Sequence, residues 1–166
     1  VNGYLVDTNI PSELTHETPD SRVAAFLENA GRESVFLRVM TVGEICKGIE
    51  LLPASQKRSA LQDWLDCDLR TWFAGRILPV TESIAERWGR LAAAGKRSGV
   101  TLAVVDGVLA ATALEHGLTL VTRNVKDFAG LGLVLLNPWD SAITAVPSVV
   151  PSATIADGHF AIPCRL

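Results

Sequence analysis

Cysteine is scarce in this chain. Cys46, Cys67 and Cys164 are the only three in 166 residues. They are widely spaced, odd in number and form no C-x-x-C pair, which argues against both a disulfide framework and a cysteine zinc site. A reducing cytoplasm is the simplest home for such a chain. Excess positive charge is missing too: 15 Lys and Arg face 18 Asp and Glu, for a net charge of −3. Gripping nucleic acid by bulk electrostatics needs a basic domain, so that mode finds no support. An acidic cluster that binds a divalent cation remains compatible with a phosphodiester substrate. No apolar run reaches the roughly 20 residues that span a bilayer, and no signal-peptide pattern is present. Internal repeats and internal linkers are also lacking.

What is present suits one globular domain. Hydrophobic residues make up 48% and charged residues 20%, outside the range of a disordered chain. Strand and helix signals alternate. Tyr4 to Val6, Ser34 to Met40, Arg76 to Val80, Leu118 to Val121 and Leu133 to Leu136 read as strands. Between them, helical spacing predicts helices over 20–30, 41–52, 55–73, 81–98 and 106–116, the last two stopped by Gly99 and Gly117. The tryptophans of the third helix, Trp64 and Trp72, share an apolar stripe with Leu61, Leu65, Leu69 and Phe73 and read as core. This alternation predicts an α/β sandwich around a mainly parallel sheet. After "NPWD" the periodicity is lost, so 141–166 reads as a C-terminal extension to a 1–140 domain, of a composition that suits a poorly specified tail or a surface-lying segment equally.

In such sheets ligands bind outside the carboxyl ends of the strands. Asp7 follows the first strand, Glu44 follows the second, Asp106 opens a helix, and Asn124 and Asp127 follow "TLVT". Each has an ordinary structural reading: Asp7 and Asp106 as helix N-caps, Thr41-x-x-Glu44 as a capping box, Asn124 and Asp127 as turn residues. Together at one sheet edge they would repel each other unless a cation sat among them. Oxygen donors of this type suit Mg²⁺ or Mn²⁺. Arg38, Lys47, Arg123 and Lys126 stand beside the acids in sequence and could hold phosphates; solvated surface charge is the plain alternative, and Arg123 and Lys126 are favoured because they flank Asn124. His116, near a helix end, suits the helix dipole better than a general-base role. His16 and His159 have no identifiable partner.

The stretches "YLVDTNIPSEL", "TVGEICKGIELL", "FAGRILPV", "VVDGVLAATALEHGLTLVTRNVKDF" and "NPWD", in this order, resemble the PIN-domain ribonucleases, and among them the VapC and FitB-like toxins of type II toxin–antitoxin pairs. The resemblance frames residues 4–140 and implies a PIN-like three-layer α/β/α sandwich. It implies catalytic roles for Asp7, Glu44, Asp106 and Asn124, with Asp7, Asp106 and Glu44 as the metal-binding acids. Asn124 stands where relatives often carry Asp, so one negative charge is missing. Asn9, Thr122 and Asp127 match positions that line the site. The implied activity is Mg²⁺-dependent hydrolysis of RNA, leaving a 5′-phosphate and a 3′-hydroxyl. The implied partners are an RNA substrate, a cognate VapB-like antitoxin, a second copy of the chain in a homodimer, and DNA only through the antitoxin, with no membrane. The helices over 20–30 and 41–52 are candidate contact surfaces. Two alternatives stand beside this reading: a non-catalytic PIN-fold binding protein, and a receiver-type phosphoacceptor domain. The latter wants a Lys after its last strand, where this chain has Asn137-Pro138-Trp139.

Overall fold

A computed structural model describes residues 3–140. The extension expected over 141–166 lies outside the described residues.

The chain opens with β1 (Tyr4–Val6), then α1 (Asn9–Glu13) and α2 (Ser21–Ala30), followed by β2 (Val35–Arg38) and α3 (Val39–Glu50). Asp20 caps α2 by accepting a hydrogen bond from the Arg22 backbone N–H at 2.9 Å, satisfying one of the orphan donors of a helix start. Next come α4 (Gln56–Asp63), a wide π-turn over Trp64–Leu69 and α5 (Arg70–Trp72), which run on from one another. An uninterrupted helix is expected from the sequence here. The wide turn instead brings the neighbours Trp64 and Leu65, and also Leu69, under cover together. The chain continues with β3 (Ile77–Leu78), α6 (Glu82–Arg97), α7 (Val104–His116), β4 (Thr119–Val121) and β5 (Leu135–Leu136). Gly117 closes α7 in the left-handed conformation, at φ 62°, which glycine adopts without a Cβ penalty.

All strand pairings among the described residues are parallel, in the order β3-β2-β1-β4-β5. Side chains alternate across the sheet and divide the core in two. Tyr4, Val6, Val35, Leu37 and Val121 join the apolar faces of α2 and α3 and the tryptophans Trp64 and Trp72 on one side. Leu5 and Leu120 join Leu109, Ala110 and Ala113 of α7 and Phe128 on the other. Helices on both faces of a parallel sheet make the three-layer α/β/α sandwich. The small residues of α7 let α6 lie close: a Cβ on Gly107 would stand 2.6 Å from Trp88 Cδ1. The strand order also separates this fold from the receiver type, whose first strand lies between the second and third; here β1 lies between β2 and β4.

The apolar residues of α2 (Val23, Phe26, Leu27) and of α3 (Ile45, Ile49) are spent on the chain's own core. Val39 and Met40 at the start of α3 and Leu51 at its end stay exposed and belong to the surface left for a contact.

Candidate active site

From β1 the chain moves outward to β2 and β3, then crosses back and adds β4 and β5 on the other flank of β1. The carboxyl ends of β1 and β4 thus flank a point where strand order reverses, and side chains just beyond them face a crevice. Asp7 and Thr122 are the residues beyond those ends.

Asp7 is held by a web of donors. Its backbone N–H reaches Val121 O at 2.9 Å, extending the β1–β4 ladder by one residue. Oδ1 accepts from the Thr8 backbone N–H at 2.7 Å. Oδ2 accepts from the Thr122 hydroxyl at 2.8 Å and from Asn9 Nδ2 at 2.9 Å. Thr122, fully buried, accepts in turn from the Asn124 backbone N–H at 3.0 Å and from Asn9 Nδ2 at 3.2 Å. One hydroxyl therefore ties the ends of β1 and β4 and the Asn124 turn to a single carboxylate. Burial pushes the Asp7 carboxyl above its ordinary pKa; the hydrogen bonds from Thr122 and Thr8 and the charge of Arg38 oppose the rise, and Glu44 adds to it.

Glu44 stands on α3, but not in a capping box. The helix begins at Val39, so Thr41 lies within its first turns and is fully buried. Glu44 Oε2 instead accepts from the Thr8 hydroxyl at 2.5 Å and from Arg38 Nη2 at 2.9 Å. Arg38, expected as a surface cation near substrate, is 1% exposed. Its guanidinium also donates to Val105 O at 2.6 Å and to Thr41 Oγ1 at 3.4 Å.

Asp106 does not serve as an N-cap either. The cap of α7 is Ala103, and Asp106 sits in the first turn of the helix, half-buried. Its carboxyl is pushed up by burial first, then by the charges of Asp7, Asp127 and Glu44, against a pull from Arg38. The acids named from sequence therefore feel one another across the sheet edge. Asn124 and Asp127 are exposed on a turn that leads into a short 3₁₀ segment, Val125–Phe128, with the Asp127 N–H bonded to Asn124 O at 3.1 Å.

Among the candidate phosphate contacts, Arg123 is engaged elsewhere. It pairs with the buried Glu13 at 2.8 Å and stacks over Trp139 at 4.1 Å from the ring centroid. Glu13 Oε1 also accepts from the Asp20 backbone N–H at 3.0 Å. Lys47 and Lys126 are exposed. Sequence reasoning passed over Thr8 and Glu13. Thr8 carried a signal, since it adjoins Asp7; Glu13 carried none beyond its place in "IPSEL".

Among the described residues, no three His, Cys, Asp or Glu side chains form a ready-made metal cluster. The donor set nevertheless suits a hard divalent cation in kind. Asp7 and Asp106 are mutually repelling carboxylates. Asn9, whose Nδ2 donates to Asp7, has its Oδ1 shut off from solvent with no hydrogen bond. A buried carbonyl oxygen without a donor and carboxylates driven toward protonation are both relieved by a bound cation.

The profile of the PIN domain matches residues 4–132. The chain is 37% identical over 135 residues to Toxin FitB of Neisseria gonorrhoeae, covering 81% of this chain and 97% of that protein. It is 35% identical over 138 residues to the VapC ribonuclease Y4jK of Sinorhizobium fredii, covering 83% and 99%. Among solved structures, VapBC2 from Rickettsia felis, bound to a DNA fragment from its promoter, superposes with a TM-score of 0.67 at 25% identity, covering 82% of this chain and 98% of that one.

Proposed function

The chain belongs to the PIN-domain family, and from that membership we propose that it is a Mg²⁺-dependent endoribonuclease, the toxin of a VapBC-like toxin–antitoxin pair acting in the cytoplasm. The observation that carries the reading is that Thr8, Arg38 and Thr122 tie Asp7, Glu44 and the start of the Asp106 helix together at the carboxyl end of the sheet. Proteins 35–37% identical over nearly their full length are named a toxin and a ribonuclease, which supports both halves of the reading.

Asp7 and Asp106 would hold the metal, with Glu44 and Asn124 beside them; Mn²⁺ suits the same oxygen donors. The bound ion supplies polarisation of a phosphoryl oxygen and acidification of a water. The chain's own residues set the frame for that chemistry. Thr8, Asn9 and Thr122 fix the orientation of the Asp7 carboxylate through three donors. Arg38 and Thr8 hold Glu44 by Oε2 alone. Asp106 accepts no hydrogen bond among the described residues, which leaves its carboxylate oxygens available to a cation, and a bound cation would offset the burial and like charges that raise its pKa. Lys126, exposed beside Asn124, is the better phosphate contact now that Arg123 is committed to Glu13.

A cognate antitoxin is the implied partner, and DNA contact would come through it, as the promoter-bound VapBC2 complex suggests by its composition. A homodimer belongs to the same reading and would use surface other than the buried faces of α2 and α3.

The test uses purified chain and total RNA, with Mg²⁺ or EDTA. Cleavage products should carry 5′-phosphates and 3′-hydroxyls, and cleavage should vanish in EDTA and in Asp7→Asn and Asp106→Asn. Undiminished cleavage by either variant refutes the assignment. A wild type that neither binds Mg²⁺ nor cuts RNA would be a PIN-fold binding protein instead. Light scattering at micromolar concentration without antitoxin should report a dimer; monomer alone removes that part.

A further inference from the structure

Arg38 is among the largest fully buried side chains of the described residues, and it is the one charged member of that group among them. A guanidinium is not deprotonated in proteins, so its charge is permanent. Three contacts pin its fork: Glu44 Oε2 at 2.9 Å, Val105 O at 2.6 Å and Thr41 Oγ1 at 3.4 Å. Thr41 and Glu44 belong to α3, and Val105 immediately precedes Asp106 in the first turn of α7. The cation is thus bolted between the two helices that carry Glu44 and Asp106. Its field also reaches Asp7 and Asp106, where it favours the ionised carboxylates.

The charge balance follows from these residues. Asp7, Glu44 and Asp106 contribute three negative charges and Asn124 none, while Asp127, exposed on its turn, adds its charge at Asp106. Arg38 pairs directly with Glu44 at 2.9 Å and offsets that charge, which leaves Asp7 and Asp106 as the unpaired acids of the proposed metal site. The Arg38–Glu44 pair further engages the Glu44 oxygen that also accepts from Thr8. Resting on the nuclease reading above, we propose that Arg38 is a built-in counter-cation that limits the site to a single divalent ion, held by Asp7 and Asp106, and keeps Glu44 as a paired positioning carboxylate and not a metal ligand.

The test is a titration of the purified full chain with Mn²⁺ alone, following free Mn²⁺ by electron paramagnetic resonance, which needs no turnover. Wild type should bind one ion. Arg38→Gln should bind a second, or the first about tenfold more tightly, as removal of a unit charge beside a divalent ion requires. Arg38→Lys, which restores the charge, should return to one ion at near wild-type affinity. If Arg38→Gln fails to fold by circular dichroism, Arg38→Met, a second neutral replacement, carries the same expectation. One ion bound by the neutral variant within twofold of wild-type affinity overturns the proposal and leaves the nuclease reading intact. No Mn²⁺ bound by wild type overturns both.

Discussion

Replacing Thr122 by Val removes one oxygen and little else. The side chain is fully buried and its hydroxyl donates to Asp7 Oδ2 at 2.8 Å while accepting from the Asn124 N–H and from Asn9 Nδ2. A hydrogen bond to a charged group contributes about 1.5–3 kcal/mol, so roughly 2 kcal/mol should be lost at neutral pH. For a domain of this size that corresponds to a fall in Tm of about 4–8 °C. The sign of the pH dependence is fixed. The folded-state pKa of Asp7 lies above its ordinary value, so its proton stabilises the fold. The stability contributed by that proton is complete below the unfolded pKa, near 3.9, and is lost as pH rises through the folded value. The Thr122 hydrogen bond pulls the folded value down, and Thr122→Val lets it rise further. The deficit of the variant should therefore be largest at pH 7 and shrink as pH falls toward 4. Urea denaturation at both pH values measures this. Loss of the residue that orients Asp7, the carboxylate proposed to hold the metal, should also weaken Mg²⁺ binding or RNA cleavage by roughly 10–100-fold. Thr122→Ser, which keeps the hydroxyl, should stay close to wild type. A Thr122→Val protein within about 0.5 kcal/mol of wild type at pH 7, with unchanged metal affinity, would refute the reasoning, since ordinary neutral substitutions fall in that range.

Other expectations rest on separate parts of the molecule. Asn124→Asp restores a fourth acid and should tighten Mn²⁺ binding by about 3–10-fold, read by calorimetry; an unchanged affinity would remove Asn124 from the site. Arg123→Ala strands the buried Glu13 and uncovers Trp139, and should cost about 1–2 kcal/mol in urea denaturation, less than for a fully buried pair because Arg123 is half-exposed. An effect confined to RNA affinity, with stability unchanged, would return Arg123 to the substrate. Gly107→Ala drives a methyl group against the Trp88 ring and should lose about 1–2 kcal/mol, although alanine is the better helix former. A gain in Tm would show that α6 and α7 are less closely packed than described.

The acids at the sheet edge were legible because each directly follows a strand signal or opens a strong helix, and the parallel α/β pattern says where such residues meet. Element boundaries were less so. Val39 and Met40 have strand-like character and were read as the end of β2, whereas they begin α3 and are exposed. That shift of two residues is enough to turn Thr41 from a cap into a core residue and to free Glu44 for the site. Arg38 was not legible at all. A lone Arg at a strand end reads as solvated surface, and what buries it is a carbonyl 67 residues away. The pairing of Arg123 was hidden for the same reason: its partner Glu13 is 110 residues distant. Long-range polar pairing leaves no local period in a sequence, while the apolar stripe through Trp64 and Trp72 does, and there the reading and the core agree.

The position of β1 in the sheet also sets the order in which the candidate site can assemble. This strand is made before the other four of the sheet, yet one of its two neighbours, β4, follows only after β2, β3 and the helices between them. The hydroxyl that fixes Asp7 lies 115 residues downstream of it. A nascent chain released before that point holds Asp7 and Glu44 without Thr122 or the turn that follows. A fragment that stops before β4 therefore lacks the side chains that orient Asp7 and cannot reproduce the site described above.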